Sequence, residues 1–525
     1  MAFLWDGLAI LAYFGLVIGV GLASARHHGR NMRDFSVGSR QLPWWAVLAS
    51  LIAAELSAAT FLGTPGEGYA LRNFTYVQLA LGTIIARVIV AYLFIRPFYD
   101  LNVVSIYEFL QVRFGRATRD AASAVFLVTR LLASGTRLYV AAVVVVLGYE
   151  MFRGEPASAG EQVALYGGAV LLVTALTTLY TAAGGIRAVI WTDVIQASVM
   201  GGAVIYALVS LWFGVGGMSG IHAVLTQPHD LQVFDAGIDH DKGIVANISG
   251  ILGSEYTIWA ALLGSVFTTM ATHGTDQDMV QRMLTAKNYH KGRLALVMSG
   301  LADVPIGLGF LFIGILLAVF YHLHPDPGLP KKNPEVFAYF ILHQLPPGAR
   351  GLLIAGVLAT AMGSLSTALN ALATSFTEDF WVPRWGRDAS EAKTVAAVRW
   401  GTAGFAVLLA LVGTATAAVV VYSPHARIIP VVLGIFGYTY GSLLGIFLLG
   451  LTTKSRGTER GNLIAMLAGF VVVAIVSGLP WDLATVVHGS PVAPPPWLLQ
   501  IEFPWRIMFG TLTTYAVAWC FRRAD

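Results

Sequence analysis

The sequence predicts an all-α protein that crosses a membrane about thirteen times. Three observations carry that prediction. Of its 525 residues, 56% are hydrophobic and only 12% are charged, where a soluble chain carries about 25% charge. Mean hydropathy is +0.69. The apolar residues also fall in blocks of about 20, the length a helix needs to cross a hydrocarbon core. A membrane β-barrel would instead show short alternating segments.

Read in order, the expected spans cover about 4–25, 42–64, 74–98, 121–149, 162–182, 187–213, 254–274, 293–322, 350–376, 393–421, 428–452, 461–479 and 504–521. The first is longer than a signal-peptide core and lacks a charged leader, so it reads as a retained span. Alternate loops are rich in Lys and Arg. They hold Arg26 to Arg40, Arg113 to Arg119, Arg282 to Arg293, Arg384 to Lys393, and Lys454 to Arg460. The positive-inside rule makes these cytoplasmic, with the N-terminus outside and the C-terminus inside. The reading is a single domain in a plasma (inner) membrane, divided as 1–41, 42–213, 254–452 and 453–525. The net charge of +4 needs no nucleic-acid partner, and one cysteine, Cys520, excludes an intrachain disulfide or a cysteine metal cluster. No obligate protein partner is inferred.

Ionisable residues inside spans are costly and mark function by default. Here they are Glu55, Arg87, Arg130, Arg137, Asp193 and Asp303. Arg87 reads as a packing partner. Glu55 lies in "SLIAAELSAATFLGTPGEGY", where small and polar residues and then "GTPGEG" interrupt the span. A broken helix frees carbonyls to hold a cation, although small residues also serve close helix packing. The seventh span, ending "SVFTTMATHGTDQDMVQR", becomes polar at membrane depth as well. Two discontinuous spans five apart suggest an inverted five-plus-five repeat.

The ninth span contains "MGSLSTALN". Thr360, Ser364 and Thr367 follow i, i+4, i+7 and share one face. Hydroxyl and carbonyl oxygens suit hard cations, and the competing reading is bonding back to the preceding turn. "GMSG" (217–220) matches a rhomboid-type G-x-S-G but sits where Gly and Ser mark a turn. No phosphate loop is present. These patterns disfavour an enzyme and ATP-driven transport.

Three stretches, "AAGGIRAVIWTDVIQ" (182–196), "GTDQDMVQRMLTAKN" (274–288) and "GSLSTALNALATSFTEDF" (363–380), resemble the sodium:solute symporter family. "ASLIAAELSAATFLG" (49–63) is similar to that family's first core helix. The resemblance covers about residues 1–455. It implies a leucine-transporter-type fold of two inverted five-helix repeats and alternating-access import of a small organic solute, a sugar or an organic anion such as a monocarboxylate. Sodium is the implied coupling ion, held by the carbonyls of Ala53, Leu56 and Thr360 and the hydroxyl of Ser364. Many members carry a Ser or Thr where this chain has Gly363, so one ligand is missing. Ser366, Thr367 and Asp193 match a second sodium site. Glu55, Ser57, Thr60, Gln78, Arg137, Thr272, His273 and Asp303 match or neighbour solute positions, and Arg137 is expected to pair with Asp303 or face a solute carboxylate. Thr272, His273 and Asp303 depart from the sugar-transporting pattern. Proton coupling is the nearest rival. A membrane sensor is disfavoured because signalling relatives append cytoplasmic domains, and an intramembrane enzyme rests on "GMSG" alone.

Overall fold

The computed structural model describes residues 2–26, 31–155, 157–422, 434–488, 492–495, 498 and 501–522. Almost all of them are helical, because a backbone in hydrocarbon must satisfy its own hydrogen bonds. The helices used below are α1 (Leu4–Ala25), α2 (Trp44–Glu55), α3 (Ala58–Leu71), α4 (Leu79–Leu93), α5 (Arg116–Arg153), α6 (Ala159–Gly214), α7 (Val266–Gly274), α8 (Tyr289–Leu323), α9 (Ala349–Trp385), α10 (Glu391–Tyr422), α11 (Ile435–Thr452), α12 (Glu459–Val476) and α13 (Phe503–Trp519).

Thirteen spans in a five-plus-five arrangement is corrected by these helices. Among the described residues nine are long and apolar enough to cross a membrane, or ten when α2 and α3 count as one bent span. The fifth and sixth expected spans follow one another without a loop as the 56-residue segment α6, two helices joined across a non-helical kink at Gly185 (φ 57, ψ −150). Glycine alone takes that backbone cheaply, and Phe35 packs so closely there that a side chain would collide with it. The expected seventh span stops at Thr275 and Asp276, whose backbone leaves the helix before Gln277–Met283. A π-helical segment, Ala260–Ser265, runs straight into α7. Among the described residues, only α2 and α3 form a pair that is together long and apolar enough to span and yet is bent by more than 40°, namely 66°. The symmetry argument required two such breaks.

The break has a local cause. Leu56 donates to the Ile52 carbonyl at 3.1 Å and then turns extended (ψ 98). Ser57 caps α3, its hydroxyl accepting from the Thr60 amide at 3.3 Å, as serine does at helix starts. "GTPGEG" does not interrupt anything, since it lies inside α3 with Pro65. Its glycines instead allow close contact: a side chain at Gly68 would strike the backbone of Leu311 in α8, one at Gly66 the backbone of Asn333 at the start of the helix Asn333–Gln344, and one at Gly314 of α8 the Pro65 carbonyl.

The most buried span is α9, which packs against α6, α5, α10 and α1. Its first turn is tied to α1. Asp6 accepts from the amides of Gly348 and Gly351 at 2.8 and 2.9 Å and from Arg350 at 2.5 and 2.8 Å. A carboxylate at a helix N-terminus satisfies amides that have no partner within the helix. Helices α11, α12 and α13 pack together as a separate flank.

Candidate functional site

A cavity of about 1110 Å³ opens beside the α2–α3 break. Its wall includes Glu55, Arg130, Arg137, Thr272, His273 and Phe436. The expected site residues Glu55, Arg137, Thr272 and His273 therefore do converge, from α2, α5 and α7.

Glu55, the last residue of α2, bonds Arg87 at 2.5 Å and His273 Nε2 at 2.8 Å. Arg87 also holds Asp303 at 2.8 Å. It is thus a bridge between two carboxylates on α2 and α8. The expected Arg137–Asp303 pair does not form, because Asp303 already has its cation. Thr272 lies beside His273, its hydroxyl 3.0 Å from Nδ1.

Ser57 and Thr60 stand at the break, where their hydroxyls lie 3.4 Å apart and Ser57 is engaged as the α3 cap. Gln78 lies outside the cavity wall. Its amide donates to the Tyr256 carbonyl at 3.1 Å and accepts from the Asp235 amide at 3.1 Å, so both ends fasten the 230–256 segment.

Arg130 and Arg137 sit two turns apart on α5 and share one aromatic ring, Phe436, at 5.3 and 5.1 Å. Arg130 is neutralised by Asp276, in a short contact, and by Asp278 at 3.0 Å. Asp276 also accepts from Tyr440 at 2.6 Å. Arg137 has no carboxylate partner among the described residues and keeps its guanidinium on the cavity wall.

The helix break also sets the end of α2 against α9, the two elements that carry the expected sodium residues. Past Ile52, the carbonyls of α2 have run out of helical donors. Gly363 of α9 packs so close that a Cβ there would lie 3.2 Å from the Ala53 carbonyl oxygen. Thr360 and Ser364 donate to carbonyls three residues back, at 2.6 and 3.1 Å, and each oxygen keeps acceptor capacity.

Asp193 and Thr367 meet as well, but around a side chain that sequence reasoning missed. The Arg282 guanidinium binds Asp193 at 3.1 Å, Asp278 at 2.8 Å, Ser50 at 2.7 Å and the Thr367 hydroxyl in a short contact. Ser50 bonds Asp193 at 2.5 Å. Ser366 turns back to the Gly363 carbonyl at 3.1 Å. Arg282 had counted as a loop cation, yet it is 1% exposed. The available signal was its place in "GTDQDMVQR", beside two aspartates.

The model of the sodium:solute symporter family matches residues 35–469. The chain belongs to that family. It is a sodium-coupled symporter that moves a small organic solute by alternating access, with sodium as the coupling ion, and it is a transporter and not an enzyme. Sodium-coupled monocarboxylate transporter 2 of Bos taurus is 29% identical over 485 residues, spanning 89% of this chain and 72% of that one. The sodium/sialic acid symporter NanT of Aliivibrio fischeri is 27% identical, covering 89% and 86%. Among solved structures, a substrate-bound, outward-open sodium-coupled sialic acid symporter superposes with a TM-score of 0.78 at 22% identity, over 98% of this chain and 97% of that one. A nucleobase-cation-symport-1 transporter superposes with a TM-score of 0.52 at 14% identity, over 93% of both chains. These two likenesses bear on the fold alone.

Proposed function

We propose that the solute is a small organic carboxylate and that Arg137 anchors it in the cavity beside the helix break. One observation carries this reading: Arg137 faces the cavity with no carboxylate partner among the described residues, while Arg87, Arg130 and Arg282 are all neutralised. A guanidinium fork matches a carboxylate bidentately. Phe436 keeps it oriented through its ring face. Thr272 and His273 line the same wall and supply polar contacts to the rest of the solute. Relatives named for monocarboxylates and sialic acid, all carboxylates, support the same chemistry.

Sodium binds, in this reading, between the α2 break and α9, using the carbonyls of Ala53, Leu56 and Thr360 and the hydroxyl of Ser364. The bound charge draws the end of α2 to α9 and so sets Glu55, and with it His273, against the cavity. Sodium and solute then raise each other's affinity by the same factor. Asp193, Ser366 and Thr367 take a second sodium only if Arg282 first releases Asp193 and Thr367.

The N-terminus lies outside and the C-terminus inside. Arg384 pairs with Asp120, Arg113 donates to the Thr453 carbonyl, and Arg456 bridges Arg522. These contacts gather the basic segments and the C-terminal end on one face, which the positive-inside rule makes cytoplasmic. Asp6 meets the opposite end of α9. A membrane-impermeant maleimide should label the exposed Cys520 in inside-out but not right-side-out vesicles.

Uptake by the purified chain in proteoliposomes tests the solute assignment. An inward sodium gradient should drive accumulation of short aliphatic or aromatic monocarboxylates, and their neutral amides should neither enter nor compete. Uptake of a neutral sugar with indifference to carboxylates would overturn the assignment. Uptake driven by a pH gradient without sodium would overturn the ion.

A further inference from the structure

The span that contains α4 continues to Asp100, and its far end meets the start of α8. Tyr99 donates to the carbonyls of Met283 and Ala286 at 2.9 Å, and its ring stands edge-on to that of Tyr289 at 6.5 Å. Arg293, one turn into α8, closes the contact. Its guanidinium lies 4.7 Å from the Tyr289 ring and 4.9 Å from the Tyr92 ring. It donates to the Ala91 carbonyl at 2.6 Å and to the Tyr92 carbonyl at 3.5 Å.

Two rings and two carbonyls orient this cation without neutralising it. Arg293 is half-buried and has no carboxylate partner among the described residues. Its surroundings add positive charge. Between 92 and 100 and between 287 and 293 the charged residues are Arg96, Asp100, Lys287, Lys291 and Arg293, so a single carboxylate is present. That carboxylate, Asp100, stands 3.5 Å from Arg96 in a well-exposed pair, which solvent weakens. Lys287 and Lys291 are exposed.

An apolar face leads up to the cation. Helix α4 exposes Ile85, Val88 and Tyr92, spaced i, i+3, i+7, and α8 exposes Leu294, Met298 and Leu301, spaced i, i+4, i+7. The two helices pack closely, since a Cβ on Gly300 of α8 would lie 3.5 Å from the backbone of Ile84. The stripes meet where Tyr92 touches Arg293. A long apolar strip that ends on a fixed, unneutralised cation has the outline of one amphiphile, with its chains along the helices and its anionic head at the span ends.

We propose that the α4–α8 face binds an anionic phospholipid, with its phosphate on Arg293, flanked by Arg96 and Lys291, and its acyl chains along the two stripes. A guanidinium fork matches phosphate oxygens. Tyr92 stands where tyrosines gather at a membrane interface, and basic pockets between spans recognise anionic headgroups. A choline headgroup would bring a further cation to a site that already has an excess of them, so a zwitterionic lipid fits poorly. The lipid would brace α4 against α8, the helices that carry Arg87 and Asp303.

Thermal melting of the full chain in detergent tests this, with added phosphatidylglycerol, phosphatidylcholine of the same acyl chains, or inorganic phosphate. Phosphatidylglycerol should raise the melting temperature well above the effect of the other two. Arg293→Gln should raise its half-maximal concentration by about tenfold, and Arg96→Gln by about fivefold. If Arg293→Gln does not fold, Arg96→Gln, at an exposed position, decides the matter. Equal stabilisation by both lipids, or an unaltered phosphatidylglycerol titration in the variants, would overturn the proposal. Equal stabilisation by inorganic phosphate would show an anion site that takes no lipid. A changed oligomeric state in Arg293→Gln with the lipid response intact would assign the face to a second copy of the chain.

Discussion

Two charge clusters lie on either side of the broken helix, and they are built from the same chemistry with opposite exposure. In the cavity cluster, Arg87 joins Glu55 and Asp303, whose side chains are 17% and 25% exposed. In the sealed cluster, Arg282 joins Asp193 and Asp278, which are 0% and 2% exposed. Desolvated charges need opposite partners, and there Asp193 meets Arg282 and Ser50 while Asp278 meets Arg282 and Arg130. The open cluster leaves a carboxylate and an imidazole in reach of a solute. An ion pair at membrane depth is therefore no sign of function by itself; its access to the cavity decides.

The comparison breaks most visibly at Arg282. Arg282→Ala should strand Asp193 and Asp278 in the interior and cost about 3–5 kcal/mol, seen as a large drop in melting temperature and folded yield. A variant that melts like the parent would show the sealed cluster to be dispensable scaffolding. Arg137→Lys should leave melting nearly unchanged and raise the solute KM by about tenfold, because an ammonium cannot form the fork. Equal loss of stability in both variants would erase the distinction between the clusters. Gln78→Ala should have the smallest effect, about 1 kcal/mol for two lost hydrogen bonds to the backbone, with KM for the solute unchanged. A large rise in that KM would return Gln78 to the solute site.

Much of this was legible in the residues. The span that breaks was identifiable because Glu55 and a run of small and polar residues interrupt an apolar block. The site of the break was less clear, since "GTPGEG" looks like the stronger breaker. Tertiary packing against α8 keeps those glycines helical, and the weaker signal, a serine followed three residues later by Thr60, marks the true start of α3. The convergence of Glu55, Arg137, Thr272 and His273 followed from the motifs. Which cation meets which anion did not, since pairing depends on helix rotation. Arg282 was misread for a related reason: charge counting treats every arginine beyond a span as solvated, and this one folds back inside. The span count differed at α6, where two helices join across Gly185 without a loop, and at α7 and α13, which are too short to count as spans.

The tie between Asp6 and the first turn of α9 has a mechanical consequence. A helix gripped at one end by a carboxylate, and buried along its length, behaves as a post and not as a lever. The face of α9 proposed to hold sodium would then be a stationary surface, and the travel to admit or release the ion would fall to α2, which ends in two extended residues, Leu56 and Ser57. The gate of this transporter would accordingly swing toward a fixed wall, with the moving part contributing two carbonyls and the wall a carbonyl and a hydroxyl.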